Sequence, residues 1–325
     1  MFFSVIIPVI NYNSYLEKNL LYLSNQKFKD FEVIIVSENN FENLINKHDL
    51  NIKFVHEINK PNPGQKRNVG ANFASGRYLV FIDDDAYPRI DWLEISYKNL
   101  LFYNNDKICL GGPGIICEDE NFFGKCIDLF YTSDFFHSDS CRYKSILKLN
   151  KKEMQDWPSV NFLISKIFFQ ELSGFDIKYW PGEDSKLCEK VLKKEGKIIY
   201  IPDMITHHYK RSNLIKHLKQ IFRYGKHRGI FFKDGDVNSK KFKYLIPSIF
   251  FLMHITMLIN IKLFLLIINI YFAILILEIL KINHIKKKFL FIVISRFYIY
   301  FSHLSYGIGF LNGLIKRNYK PSLYR

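Results

Sequence analysis

The chain has 325 residues, 48% of them apolar, and 46 Lys and Arg against 31 Asp and Glu give it a net charge of +15. A chain this long and this apolar buries a large core, which excludes a disordered chain and a small disulfide scaffold. The charge is unevenly spread: residues 1–204 hold 25 basic and 28 acidic side chains (net −3), and residues 205–325 hold 21 and 3 (net +18).

Met1 to Pro8 is apolar but short and without a basic start, so it reads as a first strand and not a signal peptide. Further short β-branched or aromatic runs lie at Val33–Val36, Ile52–Val55, Tyr78–Ile82 and Ile198–Ile201. Helical stretches separate several of them. Ser14 with Glu17 has the spacing of a capping box, after which Leu16, Leu20 and Leu23 share one face. Asn62-Pro63 opens a second helix that Gly76 closes, and Asp91 with Glu94 opens a third. Two more are expected over Lys166 to Gly174 and from Glu183 to Gly196, with Gly196 as the left-handed cap. Alternating strands and helices predict an α/β domain over residues 1–205, with a mostly parallel sheet flanked by helices. In such sheets ligands bind beyond the carboxyl ends of the strands.

Beyond Thr206 the character changes. Residues 206–243 predict a basic connecting helix, and residues 244–281 are apolar apart from a break near Asn260 and Lys262. Two spans of roughly 18 residues would form a helical hairpin through a bilayer. Lys240, Lys241 and Lys243 precede it and Lys281, Lys286, Lys287 and Lys288 follow it, which places both ends in the cytoplasm. The last apolar stretch, 289–315, contains Arg296, His303 and Gly307-Ile308-Gly309. A further crossing would leave Lys316 and Arg317 outside, so the expectation is an interfacial segment on the cytoplasmic leaflet, completing a membrane-associated region over 244–325. A buried helical subdomain is the other reading. Basic residues that bracket apolar runs point to membrane lipids as partners and away from nucleic acid. The five cysteines lack the spacings of zinc or redox pairs and are expected as reduced thiols.

The chemistry concentrates at strand ends. Tyr78–Ile82 runs directly into Asp83-Asp84-Asp85. Adjacent carboxylates repel one another unless a cation neutralises them, so the triplet is either a divalent metal site shared with a phosphate or an acidic surface turn. The turn Pro8-Val9-Ile10-Asn11 after the first strand has neither the glycines of a dinucleotide site nor a P-loop, which argues against both chemistries. Lys66-Arg67-Asn68 opens a helix, a place that favours a diphosphate or, equally, a solvated face. Glu38 ends the second strand, where an acceptor can take the N–H of a uracil-like base. Glu183-Asp184 follows Trp180-Pro181-Gly182 and starts a helix, so these carboxylates either remove a proton or cap the helix.

Ser4-Val5-Ile6-Ile7-Pro8, Phe31 to Val36, Lys66 to Gly70, Gly76 to Asp85, Gly174-Phe175-Asp176 and Gly182-Glu183-Asp184 occur in an order that resembles family 2 glycosyltransferases of the GT-A fold. His303 to Phe310 is similar to the tail of membrane-associated members that build bacterial exopolysaccharides. The resemblance implies that Asp83 meets the nucleotide ribose and Asp85 holds a metal, Mn²⁺ or Mg²⁺, with His207 or His208 completing its shell. Glu38 stands where relatives use Asp for the base. Pro8, Asn11, Lys66, Arg67, Asn68 and Asp84 would complete the donor site. Asp184 is implied as the base, with Glu183 positioning it or the acceptor. Asn161 and Trp180 fall on the acceptor side. Arg223, Tyr224, His227 and Arg228 would close over the diphosphate or bind anionic headgroups. Together these imply an inverting, metal-dependent transfer from a UDP- or GDP-sugar to a polyprenyl- or lipid-linked saccharide, by a cytoplasmic domain at the inner membrane, in polysaccharide and cell-envelope synthesis. A nucleotidyltransferase on a related sheet and a non-catalytic basic module are the alternatives.

Overall fold

The computed structural model describes residues 1–46, 48–57, 62–133, 140–144, 151–211, 213–281 and 289–315; Lys286, Lys287, Lys288, Lys316 and Arg317 of the charge argument lie outside them. The elements begin β1 (Phe3–Val9), α1 (Ser14–Ser24), β2 (Phe31–Ser37), β3 (Ile52–His56), α2 (Pro63–Phe73), β4 (Tyr78–Ile82), β5 (Ala86–Pro88) and α3 (Trp92–Tyr103). They continue with β6 (Ile108–Gly111), β7 (Gly114–Ile115), α4 (Phe122–Thr132), β8 (Lys152–Met154), β9 (Asn161–Ser165), α5 (Lys166–Glu171), α6 (Glu183–Lys193), β10 (Lys197–Tyr200) and β11 (Thr206–His208). The rest is helical: α7 (Leu214–Asp234), α8 (Ile246–Met253), α9 (Thr256–Ile259), α10 (Ile261–Lys281) and α11 (Phe289–Ile315). Two compact units result, one from Met1–Cys117 with Lys144–Tyr209, the other from Glu118–Tyr143 with Lys210–Lys320. The basic stretch from residue 206 is therefore divided: β11 belongs to the first unit and α7 to the second.

The first unit is an α/β fold around one sheet of order β3-β2-β1-β4-β9-β6-β10-β8. Every residue of β1, β2 and β4 is buried, as expected of strands covered on both faces. Leu16, Leu20 and Leu23 of α1 are buried in the same core as Val5, Ile7, Val33 and Val80, and each contributes about 2 kcal/mol of burial. The sheet is mixed, since β9 runs antiparallel to both β4 and β6, and β8 antiparallel to β10. A second, three-stranded sheet of order β5-β11-β7 hangs from the end of β4. Its register sets His208 opposite Ala86 and His207 opposite Tyr87, which brings β11 to the acidic turn between β4 and β5.

Helix ends differ from expectation in five places, three of them caps. Asn13, not Ser14, caps α1, accepting a hydrogen bond from the Leu16 N–H at 2.9 Å. Asp91 makes no cap for α3, because its carboxylate takes the Arg89 guanidinium at 2.6 and 3.0 Å. After α6 the left-handed residue is Glu195 (φ 60°), and Gly196 serves close packing instead: a Cβ there would lie 2.8 Å from the Phe168 ring. Asn62 caps α2 as expected, though the helix ends at Phe73, short of Gly76, and α5 ends at Glu171, short of Gly174. All five cysteines are buried and none forms a disulfide.

The second unit is α-helical. Phe242–Ile259, Ile261–Leu280 and Phe289–Ile315 are each long and apolar enough to cross a membrane, and they fit a membrane segment. The first is interrupted between α8 and α9, and α10 exposes Leu263, Leu265, Leu266, Ile270 and Leu277. α7 and α11 touch backbone to backbone. A Cβ on Gly225 or Gly229 of α7 would lie 2.2 Å from the carbonyl oxygen of Tyr306 or Phe310. Reciprocally, one on Gly309 or Gly313 of α11 would lie 2.2 or 2.1 Å from that of Phe222 or Lys226. Four-residue glycine spacing on both partners is the pattern that permits such an approach.

Candidate active site

The turn after β4 and strand β11 together form the most concentrated group of ligating side chains among the described residues. Ligand atoms of Asp83, Asp85 and His208 all lie within 4.8 Å of one another. His208 Nε2 is 3.3 Å from Asp85 Oδ1, and the Asp85 carbonyl accepts the Tyr209 N–H at 3.0 Å, fixing the two segments side by side. Two carboxylates and an imidazole are a donor set that fits a divalent metal such as Mn²⁺ or Mg²⁺. Of the two histidines only His208 joins this group, because neighbouring residues of a strand face opposite ways. His207 instead stacks on Tyr87, with centroids 4.8 Å apart and planes at 10°.

α1 backs the acidic turn. The Asn19 amide donates to the Asp83 carbonyl at 3.0 Å, and the Asn13 amide donates to Asp84 Oδ2 at 2.9 Å. Neither asparagine stood out as a site residue in the sequence. Asn19 did leave a trace there: it is a polar residue on the apolar stripe of Leu16, Leu20 and Leu23, which has to be satisfied once buried.

Arg67, on α2, joins this turn to the start of α6. Its guanidinium is 3% exposed and donates to Asp83 Oδ1 at 2.6 Å and to Glu183 Oε1 at 3.1 Å, 5.5 Å from the Phe175 ring centroid. Burial opposes its charge, yet Asp83, Glu183 and Asp184 outweigh that and hold its pKa above the ordinary arginine value. Burial pushes the Glu183 carboxyl well up, and the charge of Asp184 adds to this while Arg67 opposes it. Burial raises Asp184 too, against the pull of Arg67 and the Ser159 N–H, which donates to its Oδ2 at 3.0 Å. Both carboxyls, which open α6 beside the half-buried Trp180, therefore hold protons more tightly than carboxyls in water.

Glu38 remains at the end of β2, but Lys66 serves it: the ammonium donates to Glu38 Oε1 and to the Val9 carbonyl, both at 2.7 Å. A cation this buried needs such partners, so Lys66 is turned to the strand ends and not outward to a diphosphate. Asn68 is committed to the turn at Phe175, accepting its N–H at 2.8 Å and donating to its carbonyl at 2.9 Å. Asn161 is 0% exposed; its oxygen accepts the Trp92 indole N–H at 2.9 Å and its nitrogen donates to the Met204 carbonyl at 2.6 Å and the Pro113 carbonyl at 3.3 Å. It is a satisfied core amide and does not line an acceptor side. Pro8 is buried in β1 opposite Val36, and Asn11 is exposed, accepting from the Asn39 amide.

The family model for glycosyl transferase family 2 matches residues 4–170, from β1 through most of α5. A dolichyl N-acetyl-alpha-D-glucosaminyl phosphate 3-beta-D-2,3-diacetamido-2,3-dideoxy-beta-D-glucuronosyltransferase of Methanococcus voltae is 23% identical over 98% of both chains. Among solved structures, a mannosyltransferase from Pyrobaculum calidifontis in complex with GDP-Man and Mn²⁺ superposes with a TM-score of 0.51 at 16% identity, covering 70% of this chain and 62% of that one. Staphylococcus aureus TarS 1–349 in complex with UDP gives a TM-score of 0.50 at 20% identity, with 68% of this chain and 64% of that one covered. At such identities the structures speak for the GT-A-like fold alone. The family match favours sugar transfer over nucleotidyl transfer and over a non-catalytic basic module. Its span takes in the acidic turn, the start of α2 and the sheet that aligns them: the chain belongs to the family 2 glycosyltransferases.

Proposed function

We propose that the chain is a metal-dependent, inverting glycosyltransferase that moves a sugar from a UDP- or GDP-linked donor to a lipid-linked saccharide at the membrane. The observation that carries this reading is the single buried guanidinium of Arg67 shared between Asp83 on the metal-ligating side and Glu183 on the side of the base. Asp83, Asp85 and His208 are the residues to hold Mn²⁺ or Mg²⁺. When bound, the metal supplies positive charge to the departing nucleotide diphosphate. Glu38, with Lys66 beside it, meets the base, and Asp83 and Asp84 meet the ribose and diphosphate. Asp184 takes the proton of the acceptor hydroxyl as that oxygen attacks the anomeric carbon from the face opposite the diphosphate, and Glu183 stays oriented by Arg67. Trp180 offers the acceptor sugar an apolar face. The Mn²⁺ and GDP-Man of the Pyrobaculum enzyme, the UDP of TarS and the dolichyl phosphate in the name of the Methanococcus relative support the choice of metal, donor and acceptor class.

We place the catalytic unit in the cytoplasm at the inner membrane, with residues 244–281 as the hairpin through it. On α7, Lys216, Lys219, Arg223 and Lys226 recur at three- and four-residue spacing along one face, a face suited to anionic headgroups and not to hydrocarbon. α11 packs along α7 through four glycines, so the two helices share one level, which supports an interfacial α11. The test is transfer by the full chain in detergent, with UDP- and GDP-sugars, Mn²⁺ and a polyprenyl-linked saccharide. Turnover that needs Mn²⁺ and disappears in Asp85→Ala and Asp184→Asn supports the reading. Metal-independent turnover, or pyrophosphate as product, overturns it.

A further inference from the structure

β11 is only three residues long and lies far along the chain from the acidic turn, yet it must deliver His208 to within ligating distance of Asp83 and Asp85. Two short pairings, antiparallel with β5 and parallel with β7, do not alone fix an imidazole to a fraction of an ångström, and metal affinity depends on that precision. The residue directly after His208 supplies two further ties. The Tyr209 N–H donates to the Asp85 carbonyl at 3.0 Å, and the Tyr209 phenol oxygen accepts a hydrogen bond from Lys18 Nζ at 2.7 Å. Lys18 stands on α1, the helix whose Asn13 and Asn19 already hold Asp84 and Asp83 from the other side. Its ammonium also lies 4.5 Å from the centroid of Tyr87, the ring on which His207 stacks, and Tyr15 of α1 packs on Tyr209 with centroids 4.5 Å apart.

From this arrangement we infer that Lys18 and Tyr209 are positioning residues of the metal site: α1 holds both the acidic turn and β11, and the Lys18–Tyr209 hydrogen bond sets where His208 points. The inference rests on the metal-site reading above and adds to it two residues that touch no ligand. Lysine suits the task because it combines a donor for the phenol with a cation that aromatic faces accept while half-buried. Glutamine or methionine would fill the space and lose one or both functions.

The test is Mn²⁺ binding to the full chain in detergent, followed by the electron paramagnetic resonance of the aqua ion, with no nucleotide or acceptor present. Lys18→Met and Tyr209→Phe are each expected to weaken Mn²⁺ about tenfold, the low end for groups that orient metal ligands. The double variant should be no weaker than Lys18→Met, because both changes remove the same bond. Lys18→Arg should recover part of the affinity. Tyr209→Phe removes one hydroxyl and decides the matter if Lys18→Met fails to fold. Wild-type affinity in Tyr209→Phe, or losses that simply add in the double variant, would overturn the inference while leaving the metal reading intact. A wild-type chain that binds no Mn²⁺, or an Asp85→Asn variant that binds as well as wild type, would overturn the metal reading and this inference with it.

Discussion

Arg67 and Glu183 lie 116 positions apart and meet in a buried ion pair, Nη1 to Oε1 at 3.1 Å, while the other arm of the same guanidinium reaches Asp83 at 2.6 Å. Replacing Arg67 with Met would leave the buried Glu183 and the half-buried Asp83 without the cation they share. Removing one partner of a buried pair costs about 3–5 kcal/mol, so Arg67→Met is expected to lower the denaturant midpoint of the catalytic unit and to abolish transfer. Adding Glu183→Gln should return part of the stability, since it removes one of the stranded charges, but not the activity. A chemical denaturation series across the two single variants and the double would check the coupling.

The geometry separates the two adjacent histidines. His208→Ala removes a proposed metal ligand and is expected to raise the Mn²⁺ dissociation constant by at least about tenfold. His207→Ala removes a ring stacked on Tyr87 and should leave that constant within about twofold, with a loss of about 1 kcal/mol in stability from the lost aromatic pair. Titration of both variants with Mn²⁺, read against wild type, distinguishes the two roles. Equal losses in both would mean that the strand as a whole, and not one imidazole, determines the affinity.

The two units should respond to pH in opposite senses. Burial, then the Asp184 charge, raises Glu183, and burial raises Asp184, so the folded first unit keeps protons that the unfolded chain releases. The stability these two groups contribute is fully present below the ordinary carboxylate range and is lost as pH rises through the elevated values. In the second unit, burial first and then nearby Lys210 press His217 of α7 down to about 4, and burial likewise brings His227 to about 4. An unfolded chain takes up those protons near pH 6.5, so this unit loses stability as pH falls from about 6.5 towards 4, on the order of 3 kcal/mol for each histidine. Hydrogen exchange at pH 5 and pH 8 would resolve the units separately. Activity should rise with pH along a limb set by Asp184 and lying above the ordinary carboxylate range, and it should be missing in Asp184→Asn at every pH.

Much of this site was legible because the chemistry forces residue types to strand ends. Asp83 to Asp85 after Tyr78–Ile82, and Glu183-Asp184 at a helix start, were visible as local clusters before any contact was known. What sequence could not supply were pairings between distant segments. Lys66 appears beside Arg67 as one of two equivalent cations, yet burial sends one to Glu38 and the other to Asp83 and Glu183. Asn161 has the polarity of an acceptor contact, and only its partners Trp92, Met204 and Pro113 identify it as a core amide. In the same way the antiparallel course of β9 within an otherwise parallel centre depends on a strand pairing that no periodicity encodes. The choice between His207 and His208 depended on the register of a three-residue strand, which the sequence leaves open.

The glycines of α7 and α11 make the last prediction. Gly229 and Gly309 lie on different helices, and each would place a Cβ 2.2 Å from a carbonyl oxygen of the opposite one, Phe310 and Phe222. Backbone cannot yield as a flexible side chain does, so a methyl group at either position has to separate the helices. Overpacking of this kind costs about 1–3 kcal/mol, more than the roughly 1 kcal/mol that Ala gains over Gly in helix propensity. Gly229→Ala and Gly309→Ala are therefore expected to lower the thermal midpoint of the second unit in detergent, despite alanine being the better helix former. The comparison residue is Ser305, which also faces α7 but through a hydrogen bond to the Leu218 carbonyl at 2.8 Å; Ser305→Ala there should cost about 1 kcal/mol with no change in helix separation. A spin label on each helix, measured by double electron–electron resonance, should show the two glycine variants moving the helices apart and the serine variant leaving them in place. Unchanged distances in Gly229→Ala and Gly309→Ala would mean that the contact between the helices adapts without separating them.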